Sequence, residues 1–586
     1  MAINSAGDRL YLTALGSNKI AVYDIDQLNT GNAQDAQSNV RHITVNGGPS
    51  GLLLNGNRIY AITRFDNRVV VLNADTGAEI QRLAMHNPEP AGIQAGRFML
   101  YDANRSSSNG EASCAGCHVF GDTDHLSWNL GNPDAANTWN PLDHKTLNIA
   151  RLDCSVANGG VLAQDGEACK ILPDVNGRGD PNVKNFDGQT VPDNLAQFAA
   201  LKGPMATQTM RGMSTHGALH WRGDRANGFF SNAGNINDER TSFRNFIVAF
   251  EGLLGLEVTL SNPDNLNAEA QALANDMDKF ADFMLAVQLP PNPIRPLDGT
   301  FSATAQQGKM FFMGEAPGRS RSDGLATDTT LNNARFGNKP DGVSCEGCHT
   351  YEPVNGFFGA DGTVAHGGEI QILKVPHFRN LYTRVGMFGL PSRRGFLPSE
   401  TNDLASRDQV RGFGFLHDGA TDTLFNFLKG GVFDDGATDC SNTNTGLSNG
   451  LDPAKHGCEF NFGNVGIPDD QVRQSLVDFL MESDSDLAPI VGQQITLNSD
   501  SPAGDLDRAN LLITRSKASF RSKVMNDVLN RDSGNHTLTE CELVAHGLVE
   551  NEQRGYLLES GNFTPDRTGE SVLSENDLLA LGACRT

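Results

Sequence analysis

The first pattern along the chain is an alternation of apolar and polar residues, which predicts half-buried β-strands. Two stretches, GDRLYLTALGSNKIAVYDID and GNRIYAITRFDNRVVVLNAD, align after a shift of 49 residues, which places Gly56 on Gly7 and Asn67 on Asn18. Each has an Asn turn between two apolar segments, as in a β-hairpin. Residues 1–90 therefore predict two β-propeller-like blades. A closed propeller needs at least about four blades. We therefore expect that the two blades either belong to a larger propeller or pack elsewhere.

A helical pattern, with apolar residues three and four positions apart, appears twice further along the chain. One apolar stripe runs from Ala270 to Val287 and stops before Pro290. The segment DDQVRQSLVDFLMES, residues 469–483, has the same pattern. Both segments predict amphipathic helices that bury one face.

The sequences around these helices also repeat. Arg211 aligns with Arg379, and His220 aligns with His417. The order of helix, short cysteine motif, loop and closing helix thus occurs twice, which predicts two related modules. The domain prediction that follows is blades at 1–90, a first module at 91–295, a second module at 296–490 and an extension at 491–586.

Charge limits the classes of partner. The chain has 46 basic and 70 acidic residues and a formal net charge of −24, which repels nucleic acids. We therefore expect no nucleic-acid partner. We also expect no transmembrane segment, because no apolar run reaches about 18 residues. The first residues lack the basic and apolar regions of an export signal.

Four of the ten cysteines lie in two copies of one motif, CAGCH and CEGCH. A zinc ribbon would need a second close Cys or His pair, and an iron–sulfur cluster would need four gathered thiolates. A thioredoxin-type CxxC would not need the His that follows both copies. CxxCH is the attachment signal for c-type haem. The motif residues are Cys114, Cys117 and His118, and Cys345, Cys348 and His349.

The spacing within the motif has a chemical reason. Two thiols three residues apart can form thioether bonds to the two vinyl groups of haem, and the adjacent His then ligates the iron. The matched flanks of the two motifs strengthen the prediction that both bind haem. We expect two covalently bound haem c groups, and we keep Ca²⁺ as a further candidate cofactor.

Residues about 91–490 resemble the di-haem cytochrome c peroxidase and MauG group, and the N-terminal repeats resemble YVTN-type β-propeller blades. The resemblance implies two mainly α cytochrome c-type haem modules in tandem. It further implies peroxide activation at one open haem, with electrons relayed through the second from a small donor protein such as a cytochrome c or a cupredoxin. The segments that carry the resemblance are Gly96–His118, Arg211–Gly212, His220–Gly223, Cys345–His349, Phe378–Asn380 and His417–Gly419.

The chain departs from this family at two places. The family has an acidic or amide residue on the distal side of the open haem, where this chain has Leu219, with His220 in place of a Phe. The Met that ligates the second haem in the family is absent. Met387 is a substitute candidate for that ligand, with His417 as the alternative.

The segment THGALHWRGDR supplies candidates for the catalytic residues, namely His216, His220 and Arg222. A neutral His can move a proton, and Arg can stabilise a developing anion. We expect the haem on His118 to perform the chemistry and the haem on His349 to supply electrons. The alternative is that His220 ligates iron and closes the first site.

Two other functions stay open. One is an electron-transfer cytochrome in which both irons are six-coordinate. The other is a dioxygenase of the rubber-cleaving type, a related branch, which would use dioxygen in place of peroxide.

The six remaining cysteines predict disulfides, because long Gly- and Asn-rich loops are costly to order unless they are tied down. Pairing by proximity joins Cys154 with Cys169, Cys440 with Cys458, and Cys541 with Cys584, which predicts a small C-terminal extension closed by a disulfide. Disulfides and c-type haem both indicate an oxidising compartment. We therefore expect a periplasmic, cell-surface or extracellular protein.

Overall fold

The structure is a computed structural model. The chain divides into two compact units, the first of residues 1–144 and 197–287 and the second of residues 145–196 and 288–586. The predicted division into four domains stays a prediction. The residues that the structure describes are 1–29, 39–85, 87, 89, 91–131, 134, 138–139, 145–148, 152–153, 170–171, 197–198, 203–215, 217, 219–226, 228–230, 238–313, 345–347, 349–362, 364–367, 372–386, 414–429, 467, 469–483, 487–520, 538–549 and 552–582.

The N-terminal repeat forms two antiparallel sheets of four strands, each with its strands in chain order. Asn18 and Asn67 occupy equivalent hairpin turns with φ of 53° and 50°, a left-handed conformation that Asn tolerates better than most residues. The first sheet contains β1 (Ala2–Ile3), β2 (Arg9–Ala14), β3 (Lys19–Asp24) and β4 (Arg41–Thr44), with helix α1 (Ile25–Asn29) after β3, and the second contains β5 (Pro49–Asn55), β6 (Arg58–Thr63), β7 (Arg68–Asn73) and β8 (Glu79–Ala84).

The apolar residues of the alternating pattern form one core shared by the two sheets. Strand residues such as Ile20 and Val22 from the first sheet and Ile59 and Val70 from the second are buried in it. Burial of such side chains stabilises the pair by about 1.5–3 kcal/mol each. The two sheets do not form a ring, and a β-propeller is not supported.

The rest of the first unit is built on two crossing helices, α2 (Ala91–Tyr101) and α6 (Ala268–Ala286). Their contact is so close that a Cβ at Gly96 of α2 would lie 1.9 Å from the carbonyl oxygen of Lys279 in α6. The apolar stripe predicted at 270–287 is confirmed as the buried face of α6, which includes Met277 and Phe280. The helices of this region are α2 (Ala91–Tyr101), α3 (Ala103–Ser106), α4 (Glu239–Arg244), α5 (Val248–Gly252) and α6 (Ala268–Ala286).

The second unit contains a matching pair of helices, α7 (Ala303–Phe312) and α9 (Asp470–Glu482). A Cβ at Gly308 of α7 would lie 1.9 Å from the carbonyl oxygen of Ser475 in α9, so this pair crosses as closely as the first. Phe312 and Phe479 lie in the core between them. The helices within the described part of this unit are α7 (Ala303–Phe312), α8 (Leu424–Phe427), α9 (Asp470–Glu482), α10 (Ala503–Ser516) and α11 (Glu575–Gly582).

The prediction of two mainly α modules is wrong, because short strands and 3-10 turns occur between the helices. A parallel pair joins β11 (Lys145–Asn148) to β18 (Val364–Gly367), and β19 (Ile372–Lys374) extends it to three strands. Gly-, Asn- and Asp-rich segments have low helix propensity, so they form strands and turns where partners are available. The strands are β9 (Ser127–Trp128), β10 (Thr138–Trp139), β11 (Lys145–Asn148), β12 (Leu152–Asp153), β13 (Lys170–Ile171), β14 (Gln197–Phe198), β15 (Met205–Ala206), β16 (Tyr351–Glu352), β17 (Phe357–Phe358), β18 (Val364–Gly367) and β19 (Ile372–Lys374).

The prediction of a disulfide-closed extension is also wrong. Cys541 is a free thiol, and Tyr556 and Phe563 of the C-terminal sheet pack instead against Ile513 of α10. Cys584 and the other two predicted pairs lie outside the described residues. The extension contains strands β20 (Ser519–Phe520), β21 (Leu538–Thr539), β22 (Val544–Val549), β23 (Glu552–Glu559) and β24 (Asn562–Pro565).

Candidate functional site

The first CxxCH motif forms a compact turn. Residues Cys114–Gly116 make one 3-10 turn after Ser113. The amides of Cys117 and His118 both donate to the carbonyl of Cys114, at 3.3 and 2.8 Å. Both thiols and the imidazole therefore belong to one turn of backbone, as attachment to a single haem requires.

The environment keeps the side chains of this motif neutral. Burial raises the pKa of the Cys114 thiol to about 12. Burial lowers the pKa of His118, although backbone groups of Asp122 and Gln208 and the carboxylates of Asp122 and Asp124 act in the opposite direction. His118 is therefore neutral at pH 7, which is the form of imidazole that binds metals. Its buried Nδ1 has no hydrogen-bond partner.

An exposed apolar surface follows the first motif. Phe120 is 66% exposed although its backbone has φ of 54°, a conformation that is strained for an aromatic residue. Val119, Leu126 and Trp128 are exposed in the same segment. Apolar surface held open beside two thiols and a neutral imidazole fits a flat, largely apolar group such as haem.

The second CxxCH motif repeats the turn. Residues Cys345–Gly347 form a 3-10 turn, and the amide of His349 donates to the carbonyl of Cys345 at 2.9 Å. The ring of His349 stacks on Phe378 at 4.8 Å. Its Nδ1 donates to the carbonyl of Gly359 at 3.0 Å, which places the ring lone pair on Nε2. A backbone carbonyl that fixes the tautomer in this way is usual for a metal-binding His.

The arginines aligned by sequence occupy matching positions. Each guanidinium donates to a backbone carbonyl in the loop after its own motif, at 2.9 Å for Arg211 and 2.7 Å for Arg379. The next residue is left-handed in both cases, with φ of 62° at Gly212 and 61° at Asn380. These contacts support the predicted alignment of Arg211 with Arg379.

The predicted alignment of His220 with His417 is wrong by one residue. Each unit contains a turn that is closed by one backbone hydrogen bond. In the first turn the amide of Gly223 donates to the carbonyl of His220 at 3.2 Å, and in the second the amide of Gly419 donates to the carbonyl of Leu416 at 3.5 Å. The first residue of each turn is left-handed, with φ of 77° at His220 and 66° at Leu416. His220 is therefore equivalent to Leu416, and His417 is equivalent to Trp221.

His220 belongs to a largely buried hydrogen-bonded network. Its Nδ1 lies 2.7 Å from Oδ1 of Asp224, and Arg222 donates to the other carboxylate oxygen at 3.1 Å. Burial favours the neutral acid of Asp224, but His220, Arg225 and Arg222 together hold the pKa of its carboxyl well below the usual range. Asp224 is thus ionised, and an edge of Phe246 covers the His220 ring at 6.1 Å between centroids.

Asp224 was not among the predicted site residues, although the sequence contains a signal for it. Asp224 follows His220 by four residues in the string HWRGDR. Gly359 and Phe378 could not be identified as partners of His349, because they reach it only through the folded chain.

Of the remaining predicted residues, the structure describes only His417. His216, Cys348 and Met387 lie outside the described residues, and His417 is half-buried. Within the described ranges, no group of three or more His, Cys, Asp or Glu side chains is arranged to hold a metal ion. The Ca²⁺ prediction therefore has no candidate site there. None of the described helices is long and apolar enough to cross a membrane.

No family model matches the chain, and no curated protein matches it. Among solved structures, hydrazine synthase from Kuenenia stuttgartiensis, pressurised with 20 bar xenon, is similar at a TM-score of 0.28 and 15% identity, over 68% of this chain and 89% of that one. A likeness at this score supports no statement about fold or function. The resemblance to the di-haem peroxidases stays an interpretation of the sequence.

Proposed function

We propose that the chain is a c-type haem oxidoreductase that carries two haems and reacts with peroxide. The observation that carries the proposal is that both CxxCH motifs form the same turn, and that His118 and His349 are each held in the form that binds metal. The sequence resemblance to the peroxidase and MauG group favours peroxide as the oxidant.

In this proposal Cys114 and Cys117 attach the first haem and His118 ligates it. Cys345, Cys348 and His349 do the same for the second. When bound, the haems supply one-electron redox chemistry and a place for peroxide. The carbonyl of Gly359 holds the ring of His349 in orientation.

The matching turns support a division of labour. The first turn carries the hydrogen-bonded network of His220, Arg222 and the ionised Asp224. Its counterpart in the second unit begins at Leu416 and offers no imidazole at that position. Proton transfer to and from peroxide therefore belongs to the first site, and electron relay to the second. A small electron-donor protein and a periplasmic or cell-surface location complete the proposal.

The attachment test is a mass measurement on the chain produced with a c-type cytochrome maturation system. We expect an added mass of two haems that survives denaturation. The pair Cys114→Ala and Cys117→Ala should remove one haem, and the pair Cys345→Ala and Cys348→Ala the other. Cys541→Ala is the matched control and should remove none. A chain without added mass would overturn the proposal.

The reaction test uses the two-haem protein. We expect turnover of hydrogen peroxide with a reduced small electron donor. A protein that carries both haems but reacts with neither peroxide nor dioxygen would be an electron carrier. Consumption of dioxygen without peroxide turnover would indicate an oxygenase.

A further inference from the structure

The carboxylate of Asp224 bridges two cationic or potentially cationic side chains. One oxygen lies 2.7 Å from Nδ1 of His220, and the other accepts from Arg222 at 3.1 Å. The side chains of Asp224 and Arg222 are 11% and 6% exposed. A carboxylate held at both oxygens cannot rotate, so it fixes the plane and the direction of the imidazole that it contacts.

The backbone also supports this geometry. His220 adopts φ of 77°, which is costly by about 1–2 kcal/mol for a residue with a Cβ. The side chain of Asn245, fully buried, holds the following segment by donating to the carbonyl of Arg225 and accepting from the amide of Phe230, both at 2.8 Å. Strain that the surroundings maintain in this way is typical of functional positions.

The second unit shows that the turn does not require the pair. The equivalent turn has Leu416 in the position of His220 and Ala420 in the position of Asp224. It nevertheless also begins with a left-handed residue and closes at a glycine, Gly419. The His–Asp pair is therefore an addition to the turn and not a condition for forming it.

We propose that Asp224 is a positioning residue for His220: it keeps a hydrogen on Nδ1 and thereby directs Nε2 to take the proton that peroxide loses on binding. The carboxylate then stabilises the imidazolium that forms. This inference rests on the proposed function of the first site. Asp224 itself touches neither peroxide nor haem in this scheme.

Other charged groups around His220 have identifiable roles. Arg222 is bonded to Asp224, and Arg225 stacks over Phe246 at 5.0 Å. On helix α4, Glu239 accepts from the amide of Gly217. The remaining charges of that helix, Arg240 and Arg244, form ion pairs with Asp278, and Arg240 also with Asp282.

The test compares Asp224→Asn with Asp238→Asn, a control that also removes one carboxylate from the first unit. Asp238 caps α4 by accepting from the amide of Thr241, and Asn caps helices equally well. Asp224→Asn should lower kcat for peroxide by about 10- to 100-fold with KM within about twofold, in line with the loss of part of general acid–base catalysis. Asp238→Asn should change neither constant.

A second readout does not depend on activity. Diethylpyrocarbonate modifies neutral imidazole, and peptide mapping of the full chain reports the modification of His220 at each pH. Loss of the neighbouring carboxylate disfavours the imidazolium, so the pH of half-maximal modification should fall by about one unit or more in Asp224→Asn. Asp224→Glu, which restores a carboxylate, should return both readouts part of the way.

The outcomes distinguish a failure of the positioning role from a failure of the proposed function. If wild type binds haem and turns over peroxide while Asp224→Asn matches it in both readouts, the positioning role is wrong and the function stands. If wild type shows no peroxide turnover, the function fails, and the modification profile still decides the pairing. If Asp224→Asn does not fold, Asp224→Ala replaces it, since the equivalent turn closes with Ala420 at that position. A lower kcat together with a lower pH of half-maximal modification supports the inference, and values equal to those of wild type refute it.

Discussion

At the scale of single residues, His377 combines partial burial with a strongly cationic neighbourhood. Its Nδ1 accepts a hydrogen bond from the amide of Arg379 at 3.1 Å. Burial lowers the pKa of His377 well below its usual range, and the charges of Lys374, Arg379 and Arg384 act in the same direction. The imidazole is therefore neutral in the folded protein at pH values where an exposed His becomes charged.

This environment predicts a loss of stability at mildly acidic pH. In the unfolded chain His377 takes up a proton as the pH falls below about 6.5, whereas the folded protein does not, so the free energy of unfolding decreases by up to about 1.4 kcal/mol per pH unit below that value. The contribution is fully present above the unfolded pKa. His377→Asn, which can still accept from the amide of Arg379, should reduce this slope.

The measurement is urea unfolding between pH 5 and 7.5. His546→Asn, at an exposed position in the C-terminal sheet, is the control and should keep the slope of wild type. A slope unchanged by His377→Asn would place the pH dependence on other groups.

At the scale of elements, the close packing of each helix pair depends on one glycine. Gly96 packs against the backbone carbonyl of Lys279 in α6, and Gly308 packs against the backbone carbonyl of Ser475 in α9. A carbonyl in a helix cannot move away without breaking its own hydrogen bond. The close approach of each pair is therefore fixed by one residue.

We expect Gly96→Ala and Gly308→Ala each to lower the free energy of unfolding by about 3 kcal/mol or more, because the added methyl group forces the helices apart in a packed core. Gly92→Ala in the same α2 is the matched control. Its Cβ would meet nothing within 4 Å, so it should stabilise by about 0.5–1 kcal/mol through helix propensity. Denaturant unfolding with circular dichroism measures all three, and a Gly96→Ala protein as stable as wild type would contradict the packing.

The same elements show what the sequence can predict. The apolar stripes of α6 and α9 are local patterns, so both helices were predicted within a few residues of their ends. The CxxCH turns are local too. The pairing of β11 with β18 joins residues 145–148 to residues 364–367, and no local pattern encodes such a partner. The predicted equivalence of His220 with His417 was wrong for another reason. The prediction matched identical residue types, whereas the two turns match at their left-handed residues, His220 and Leu416.

At the scale of the whole molecule, the dominant property is the formal net charge of −24. Such an excess attracts cations and repels anions over about a Debye length, roughly 10 Å at 0.1 M salt. An electron donor for the proposed reaction would benefit from a basic surface. The same field should act on small redox reagents, which makes it measurable without knowing the natural donor.

We therefore predict that a small cationic electron donor reduces the haem-loaded protein at least about tenfold faster than an anionic donor of similar potential at low ionic strength, since electrostatic steering changes association rates by factors of about 10 to 1,000. At about 0.5 M salt the two rates should converge, because the screening length falls to a few ångströms. Stopped-flow absorbance measures both rates, with an uncharged donor as the reference that should not respond to salt. A faster anionic donor would mean that local positive charge around the attachment turns, such as Arg211 and Arg379, governs access and outweighs the charge of the whole chain.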